Sequence, residues 1–214
     1  MTMLHGGPLG EHAKSKVGKS RPAPIKQQTD LKATVMLGDR AAPDNDLPDR
    51  LLLLVDGGGS YLLLRNDRLT IGRAMTRNLP DIPIQSDIAE RHAEISRVED
   101  DYFLFSSRDV EVDSRSTRHQ LLRDGNRIAL ARNARFTFRL PHRQSQTAII
   151  DLSSATKMPN DVRRVVLFRQ TAMIGVGRTM HITCNTAAAD LVLFERAGQL
   201  WVRPQRQNRI DTEA

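Results

Sequence analysis

Cysteines, aromatic residues and long apolar runs are scarce in this sequence. Its 214 residues contain one cysteine, Cys184, which excludes an internal disulfide framework and a zinc site built on several cysteines. The apolar run Leu51–Val55 is far shorter than the roughly 20 residues that a membrane-spanning helix needs. Residues 1–20 lack the apolar core of a signal peptide. The sequence therefore predicts a cytoplasmic protein without a membrane span.

Acidic residues are fewer than basic ones. The chain has 32 lysines and arginines, most of them arginine, against 25 aspartates and glutamates, which gives a formal net charge of +7. Guanidinium groups favour bidentate contacts with phosphates and carboxylates. The composition therefore favours an anionic partner, and nucleic acid, a phosphopeptide and an acidic protein surface all stay open.

A periodic apolar pattern is almost absent from residues 1–48. Their content of glycine, proline, lysine, aspartate and glutamine predicts a disordered tail. One apolar island, Lys32–Gly38, interrupts it. The island is interpreted as an apolar stretch of linker, and the alternative is a short docking motif with Thr34 as a phosphorylation site. Residues 206–214 are predicted to form a second, polar tail.

Short apolar runs separated by turn residues begin at Leu51. Many short strands at close spacing are typical of an all-β sandwich or barrel. Asp124-Gly125 is a strong signal for a two-residue hairpin turn. Pro141 ends the block, because proline donates no hydrogen bond to a sheet ladder. The sequence therefore predicts a β-sandwich over residues 49–142.

A second, smaller all-β block is predicted over residues 148–205, and it echoes the first. Gly72 aligns with Gly175 after similar apolar residues, and His92 aligns with His181. An internal repeat is one interpretation of this echo. Two unrelated β segments that share a glycine and a histidine are the other.

Several motifs of the first block occur together in one order. They are a strand ending in Gly-Arg, a short apolar run, a histidine turn before a strand, a hydrophobic hairpin and a late Asp-Gly hairpin: Ile71–Arg73, Asp81–Ile84, Ile88–Ile95, Tyr102–Leu104 and Leu121–Leu130. In this combination residues 50–142, under half of the chain, resemble a forkhead-associated (FHA) domain. The resemblance implies an antiparallel β-sandwich of the FHA/SMAD type, followed here by a degenerate, truncated FHA-like block.

The resemblance also implies a function. FHA domains bind phosphothreonine peptides through loops at one end of the sandwich, with no cofactor and no catalysis. By this resemblance Arg73 contacts the phosphate, Gly72 permits the turn and His92 braces the loop. A phosphate carries nearly two negative charges and strong acceptors, which a guanidinium with hydroxyl and backbone donors can bind. The expected partner is a phosphorylated or acidic protein in signalling.

The chain departs from the family pattern at two places. Where the family has Ser-Arg before the histidine, this chain has Ala89-Glu90, so a hydroxyl contact is missing and a carboxylate repels the phosphate. A hydrogen bond to a charged group contributes roughly 1.5–3 kcal/mol, so binding is expected to be weaker by about tenfold or more. The family's later Asn-Gly is missing from the matching stretch, Asp113–Arg118. The candidate substitutes are Ser86, Arg91, Ser116 and Thr117.

Two further functions stay open. One is a pseudo-FHA scaffold that binds protein without phosphate. The other is nucleic-acid binding by the arginines of residues 115–143, which is not favoured because no base-stacking aromatics accompany them: Phe136 and Phe138 are predicted core residues. Phosphorylated Thr34 of the chain's own tail is a further candidate ligand for the Arg73 loop.

No enzyme is predicted. The six histidines are scattered, without the spacing of a metal site. No nucleophile elbow surrounds a serine. Gly175-Val176-Gly177 lacks the third glycine and the following helix of a nucleotide-binding loop. The sequence therefore predicts no catalytic residue, no metal and no cofactor.

Overall fold

The computed structural model describes residues 33–37, 47–142, 145–187 and 190–205. The prediction of an all-β fold is confirmed for these residues, which form strands and one short 3-10 turn, Pro159–Asp161. The first ten strands are β1 (Ala33–Leu37), β2 (Arg50–Val55), β3 (Gly59–Leu64), β4 (Arg68–Arg73), β5 (Ile82–Ile84), β6 (Ala93–Val98), β7 (Asp101–Val112), β8 (Arg115–Leu122), β9 (Arg127–Ala131) and β10 (Ala134–Arg139). The others are β11 (Ala148–Leu152), β12 (Arg164–Leu167), β13 (Thr171–Gly175), β14 (Ile182–Thr183), β15 (Leu191–Arg196) and β16 (Gln199–Pro204).

The strands form two sheets. The large, curled sheet has the order β1-β2-β3-β12-β11-β10-β9-β7-β6-β4-β5, and β8 pairs with β7 outside this path. The small sheet has the order β14-β13-β15-β16. Parallel pairing occurs between β3 and β12, β4 and β5, and β13 and β14. A large β structure followed by a smaller one is the architecture that the sequence predicted.

The boundary between the sheets differs from the boundary predicted at residues 142–148. β11 and β12 lie after it in the chain, yet they pair with β10 and β3 in the large sheet. The small sheet begins only with β13. The first part of the predicted second block therefore completes the large sheet, because β12 inserts beside β3, which is distant in sequence.

Two hydrophobic cores share the strands β3 and β12. Leu62 and Val165 belong to the core inside the large sheet. Leu63 and Val166 belong to a second core between these strands and the small sheet. Both strands are thus buried on both faces, which is why their apolar residues run without the alternation of a half-exposed strand.

Part of the predicted tail is a strand. β1 pairs antiparallel with β2, in a register that runs from Ala33↔Val55 to Leu37↔Leu51. The apolar island is thus a docked strand and not the linker that was its first interpretation. The rest of the predicted tails, residues 1–32, 38–46 and 206–214, lies outside the described residues.

The two sheets repeat one topology. β4 lies between the parallel strand β5 and the antiparallel strand β6, and β13 lies in the same way between β14 and β15. Ile71 and Ile174 occupy the same place in the two registers. The hairpins β6–β7 and β15–β16 follow, and each turn begins with a residue of positive φ, 55° at Glu99 and 50° at Ala197. The shared register favours an internal repeat.

The predicted alignment of His92 with His181 is wrong. His181 lies directly before β14, and Asp81 lies directly before β5. Each side chain accepts a backbone N–H from the strand parallel to its own: Asp81 from β4 and His181 from β13. Asp81 Oδ2 accepts from Thr70 at 2.8 Å, and His181 Nδ1 accepts from Met173 at 3.0 Å. His92 instead precedes β6. Spacing in the sequence misaligned the two histidines because the loops of the second copy are shorter.

Candidate functional site

The loop of residues 85–92 is fastened to the end of β4. The N–H of Arg73 donates to the carbonyl of Ala89 at 3.1 Å, and the N–H of His92 donates to the carbonyl of Ile71 at 2.9 Å. The His92 ring holds the loop from inside, because its Nδ1 accepts the N–H of Ala89 at 3.3 Å. These contacts make His92 a brace between the loop and β4.

Gly72 allows the loop to cross β4 at short distance. A Cβ at Gly72 would overlap the carbonyl oxygen of Glu90 and lie 3.2 Å from that of Ala89. The φ of Gly72 is not positive. Its role is therefore the close approach of two backbone segments, and not the turn that the family resemblance implied.

His92 is a buried, neutral ring. Its Nδ1 accepts a hydrogen bond, so the ring proton lies on Nε2, which is buried and has no hydrogen-bond partner among the described residues. Burial lowers the pKa of His92, and the positive charge of Arg108 lowers it further. Arg108, on β7, therefore acts electrostatically on the turn that precedes β6.

Arg73 presents a guanidinium at the loop. Its Nη2 lies 3.9 Å from Oε1 of Glu90, which is too far for a hydrogen bond. The two side chains are 43% and 67% exposed, so this ion pair contributes little. The Nε of Arg73 is buried and has no partner among the described residues. The exposed Nη2 of Arg73, which makes no hydrogen bond to Glu90, is therefore the donor that an anion could reach.

Ser86 and Arg91 lie in the same loop but in different surroundings. Ser86 is half-buried in a tight turn, where its N–H donates to the carbonyl of Ile84 and its own carbonyl accepts the N–H of Ile88, both at 3.0 Å. Arg91 is exposed and follows Glu90 directly. The loop therefore presents Arg91 to solvent more fully than it presents Ser86.

The second predicted recognition loop, residues 113–118, is not a loop. Its first two residues form the tight turn between β7 and β8, with φ of 50° and 66°. Ser116 and Thr117 lie on β8 and pair with β7. The hydroxyl of Thr117 donates to the carbonyl of His119 at 2.8 Å. The structure thus places Ser116 and Thr117 in a paired strand, and it shows no contact between them and Arg73.

The strand β7 is irregular at Ser106–Asp109, and the sequence did not predict this irregularity. Phe105 pairs with His119 and Val110 with Thr117, so four residues of β7 face a single residue of β8. The extra residues must bulge out of the ladder. A local signal exists, because the polar run Ser-Ser-Arg-Asp interrupts the apolar alternation of the strand.

The bulge adjoins the His92 turn. The Oγ of Ser106 donates to the carbonyl of His92 at 2.9 Å, and the N–H of Arg108 donates to that Oγ at 3.3 Å. These contacts join the backbone of Arg108 to the His92 turn through Ser106, and the charge of Arg108 lowers the pKa of His92. We call Arg73, Arg91 and Arg108 the arginine edge.

An aromatic cluster lies on the outer face of β7 and β8. Phe105 is 41% exposed, and its ring stacks on His119 with 4.5 Å between centroids. Phe103 lies 5.9 Å from the same imidazole. Phe136 and Phe138 are buried, as predicted. Partly exposed aromatic rings are thus present on an arginine-rich hairpin, although the sequence did not reveal them.

A cleft of about 540 Å³ opens over β9 and β10, away from the arginine edge. Its lining includes Glu111, Arg127 and Arg135, and it includes none of the residues predicted to bind a peptide. The described part of the chain holds no group of three histidine, cysteine, aspartate or glutamate side chains placed to bind a metal. It also contains no helix long and apolar enough to cross a membrane.

Comparison with known proteins identified no relative of this chain. No family model matches the sequence, and no curated protein matches it. The likeness to FHA domains therefore depends on the Gly72-Arg73 to His92 pattern and on the hairpins that follow it.

Proposed function

We propose that this chain is a non-catalytic, FHA-type interaction module that recognises phosphothreonine peptides of a signalling partner in the cytoplasm. The observation that carries the proposal is Arg73, which the loop of residues 85–92 holds at the end of β4. The nearest described carboxylate, that of Glu90, lies 3.9 Å away. A guanidinium with unused donors on a rigid strand end suits a phosphate group.

Arg108 supports the same proposal. Ala89 offers no hydroxyl and Glu90 no positive charge, so the loop itself lacks two groups that the family uses. Arg108 lies in the bulge of β7 beside the His92 turn, and its positive charge acts on His92. This charge supports the proposal, because it would partly compensate for the missing groups of the loop.

The Arg73→Ala variant is expected to bind phosphothreonine peptides about tenfold more weakly or worse, because a hydrogen bond to a charged group contributes roughly 1.5–3 kcal/mol. A peptide library presented with phosphothreonine and with plain threonine selects the ligand, and fluorescence anisotropy measures its dissociation constant. Binding of the plain peptides is expected to be weak and unchanged.

Arg132→Ala is the matched control for this experiment. Arg132 is exposed in the turn between β9 and β10, so its removal changes the net charge equally without touching the arginine edge. Equal and negligible binding of both peptide sets, unaltered in Arg73→Ala, would contradict phosphate recognition. That result would leave the scaffold that binds protein without phosphate.

The Ala89→Ser variant is expected to bind phosphothreonine peptides about tenfold more tightly, since it restores a hydroxyl donor worth roughly 1.5–3 kcal/mol against a charged group. The loop can accept this change because Ala89 is only half-buried. Ala89→Cys, of similar size with a weak donor, is the control, measured by the same anisotropy titration. Equal affinities of the wild type and both variants would show that no phosphate lies over residue 89.

Nucleic-acid binding is the second candidate function, and one observation favours it. Phe105 and His119 form a partly exposed stack on which a base could lie. The neighbouring arginines are less available, because Arg118 pairs with Asp109 at 2.8 Å and Arg123 lies 3.9 Å from Asp101. Steep salt dependence of oligonucleotide binding would distinguish this function from peptide recognition.

A further inference from the structure

Without β1, β2 would be an edge strand of the large sheet, and it lacks the usual protection of an edge. Its residues Leu51–Val55 include no charge and no proline, and its ladder with β3 runs in one unbroken register. Two other edges of the large sheet are blunted. β5 is only three residues long and contains Pro83, and β8 carries Arg115 and Arg118. The uncharged edge that β2 would present without β1 is a template for pairing with another strand.

β1 covers this edge and is joined to it by a long connection. Five residues of β1 pair with five of β2. Residues 38–49 connect the two strands, whereas hairpin loops usually have about 2–5 residues. A tether of this length can hold a segment near its docking edge at an effective concentration in the millimolar range. The connection between β1 and β2 is thus longer than that of a tight hairpin.

We propose that the outer edge of β2 is a strand-docking surface for a short, extended, uncharged apolar segment, and that Ala33–Leu37 is its occupant in the free chain. Main-chain hydrogen bonds would supply most of the affinity, as in other cases of strand addition to a sheet edge. A partner with the same chemistry competes with the chain's own segment for this edge. The surface is distinct from the arginine edge, because Arg73, Arg91 and Arg108 lie on neither β1 nor β2.

Docking of β1 also bears on Thr34. Thr34 pairs with Leu54, so its backbone is part of the sheet when β1 is docked. Binding of phosphorylated Thr34 to the Arg73 loop stays a prediction.

A double-proline variant of the full chain, Thr34→Pro/Val35→Pro, tests the docking surface. The N–H groups of consecutive strand residues point to opposite edges, so one of the two prolines removes a donor that faces β2. A fluorescent peptide of residues 31–39 is the probe. It is expected to bind the double variant at least about tenfold more tightly than the wild type, whose edge is already filled by a segment at millimolar effective concentration.

Three controls accompany this measurement. The variant Asp39→Pro/Arg40→Pro carries the same prolines outside β1 and is expected to bind the peptide as weakly as the wild type. A peptide with both prolines in place of Thr34 and Val35 is expected not to bind. Val35→Lys is a second way to weaken β1 that alters none of residues 47–205, and it is expected to increase peptide binding.

Hydrogen exchange gives an independent readout. The amides of Leu51–Val55 that face β1 are expected to lose protection in the double-proline variant and to regain it with saturating peptide. Absence of peptide binding to both β1 variants, while circular dichroism shows them folded, would overturn the proposal. Equal peptide binding to the wild type and to every variant would overturn it as well, since the peptide would then bind elsewhere.

Discussion

Replacing Gly72 with alanine is expected to lower the free energy of unfolding by about 3 kcal/mol, the upper part of the usual range for overpacking. The new methyl group would overlap the carbonyl oxygen of Glu90 and crowd that of Ala89. Both are backbone atoms, and the Arg73–Ala89 hydrogen bond and the His92 ring fasten their loop to β4. The loop therefore cannot move away without breaking these contacts. Urea unfolding followed by circular dichroism measures the loss.

Gly175→Ala is the matched control, because Gly175 occupies the position of Gly72 in the small sheet. A Cβ there would overlap the carboxylate oxygen of Asp190, which is a side-chain atom that can rotate away. The expected loss is about 1 kcal/mol, the lower end of the range for overpacking. A loss at Gly72 no larger than at Gly175 would contradict the close crossing of the loop over β4.

The second large effect concerns pH and His181. Burial lowers the pKa of His181 to about 4 from its ordinary value of 6.5. Its Nδ1 accepts the N–H of Met173 at 3.0 Å, so Nε2 carries the proton and donates to the carbonyl of Thr147 at 3.1 Å. A charged ring would lose the first of these hydrogen bonds and remain buried. We therefore expect the protonation of His181 to lower the free energy of unfolding by about 3 kcal/mol when the pH is lowered from 7 to below 4.

The direction follows from proton binding in the two states. Between pH 6.5 and pH 4 the unfolded chain binds a proton at His181 and the folded chain does not, so acidification favours unfolding. The contribution is complete above pH 6.5, falls through this window and is constant below pH 4. About 2 kcal/mol of the loss is expected between pH 7 and pH 5, where most carboxylates stay ionised. Urea unfolding at several pH values measures it.

His181→Gln is the variant that isolates this histidine. A glutamine side chain keeps one acceptor and one donor but does not titrate. The stability of the variant is expected to change less with pH over the same window, while His92, whose pKa is also lowered, titrates in both proteins. Identical pH dependence of the two proteins would contradict a buried, neutral His181.

Much of the site near β4 could be predicted from local sequence. The sequence predicted that Gly72 and Arg73 end a strand and that His92 lies in the turn before the next one, because apolar runs adjoin these residues. The structure has them at the end of β4 and before β6. The turn at Asp124-Gly125 was also local, and Gly125 adopts a positive φ of 87°. The predicted hairpin is wrong, however, because β8 and β9 on either side of this turn both pair with β7 and not with each other. Arg108 could not be found in this way. Its place depends on the register between β7 and β8, which makes residues 106–109 bulge.

Outside β1 and the start of β8, the sequence by itself determined where the chain forms strands and which residues face a core, because alternating and continuous apolar runs reflect burial within a few residues. Only the tertiary structure decided which strands are neighbours. β12 joins β3 and β1 covers β2, and the Tyr61 hydroxyl, which accepts the N–H of Thr183 at 3.1 Å, ties the large sheet to the small one. The physical reason is that a strand exposes the same backbone groups to any neighbour. The choice among partners follows from the packing of side chains that are distant in the chain, and local spacing does not encode it.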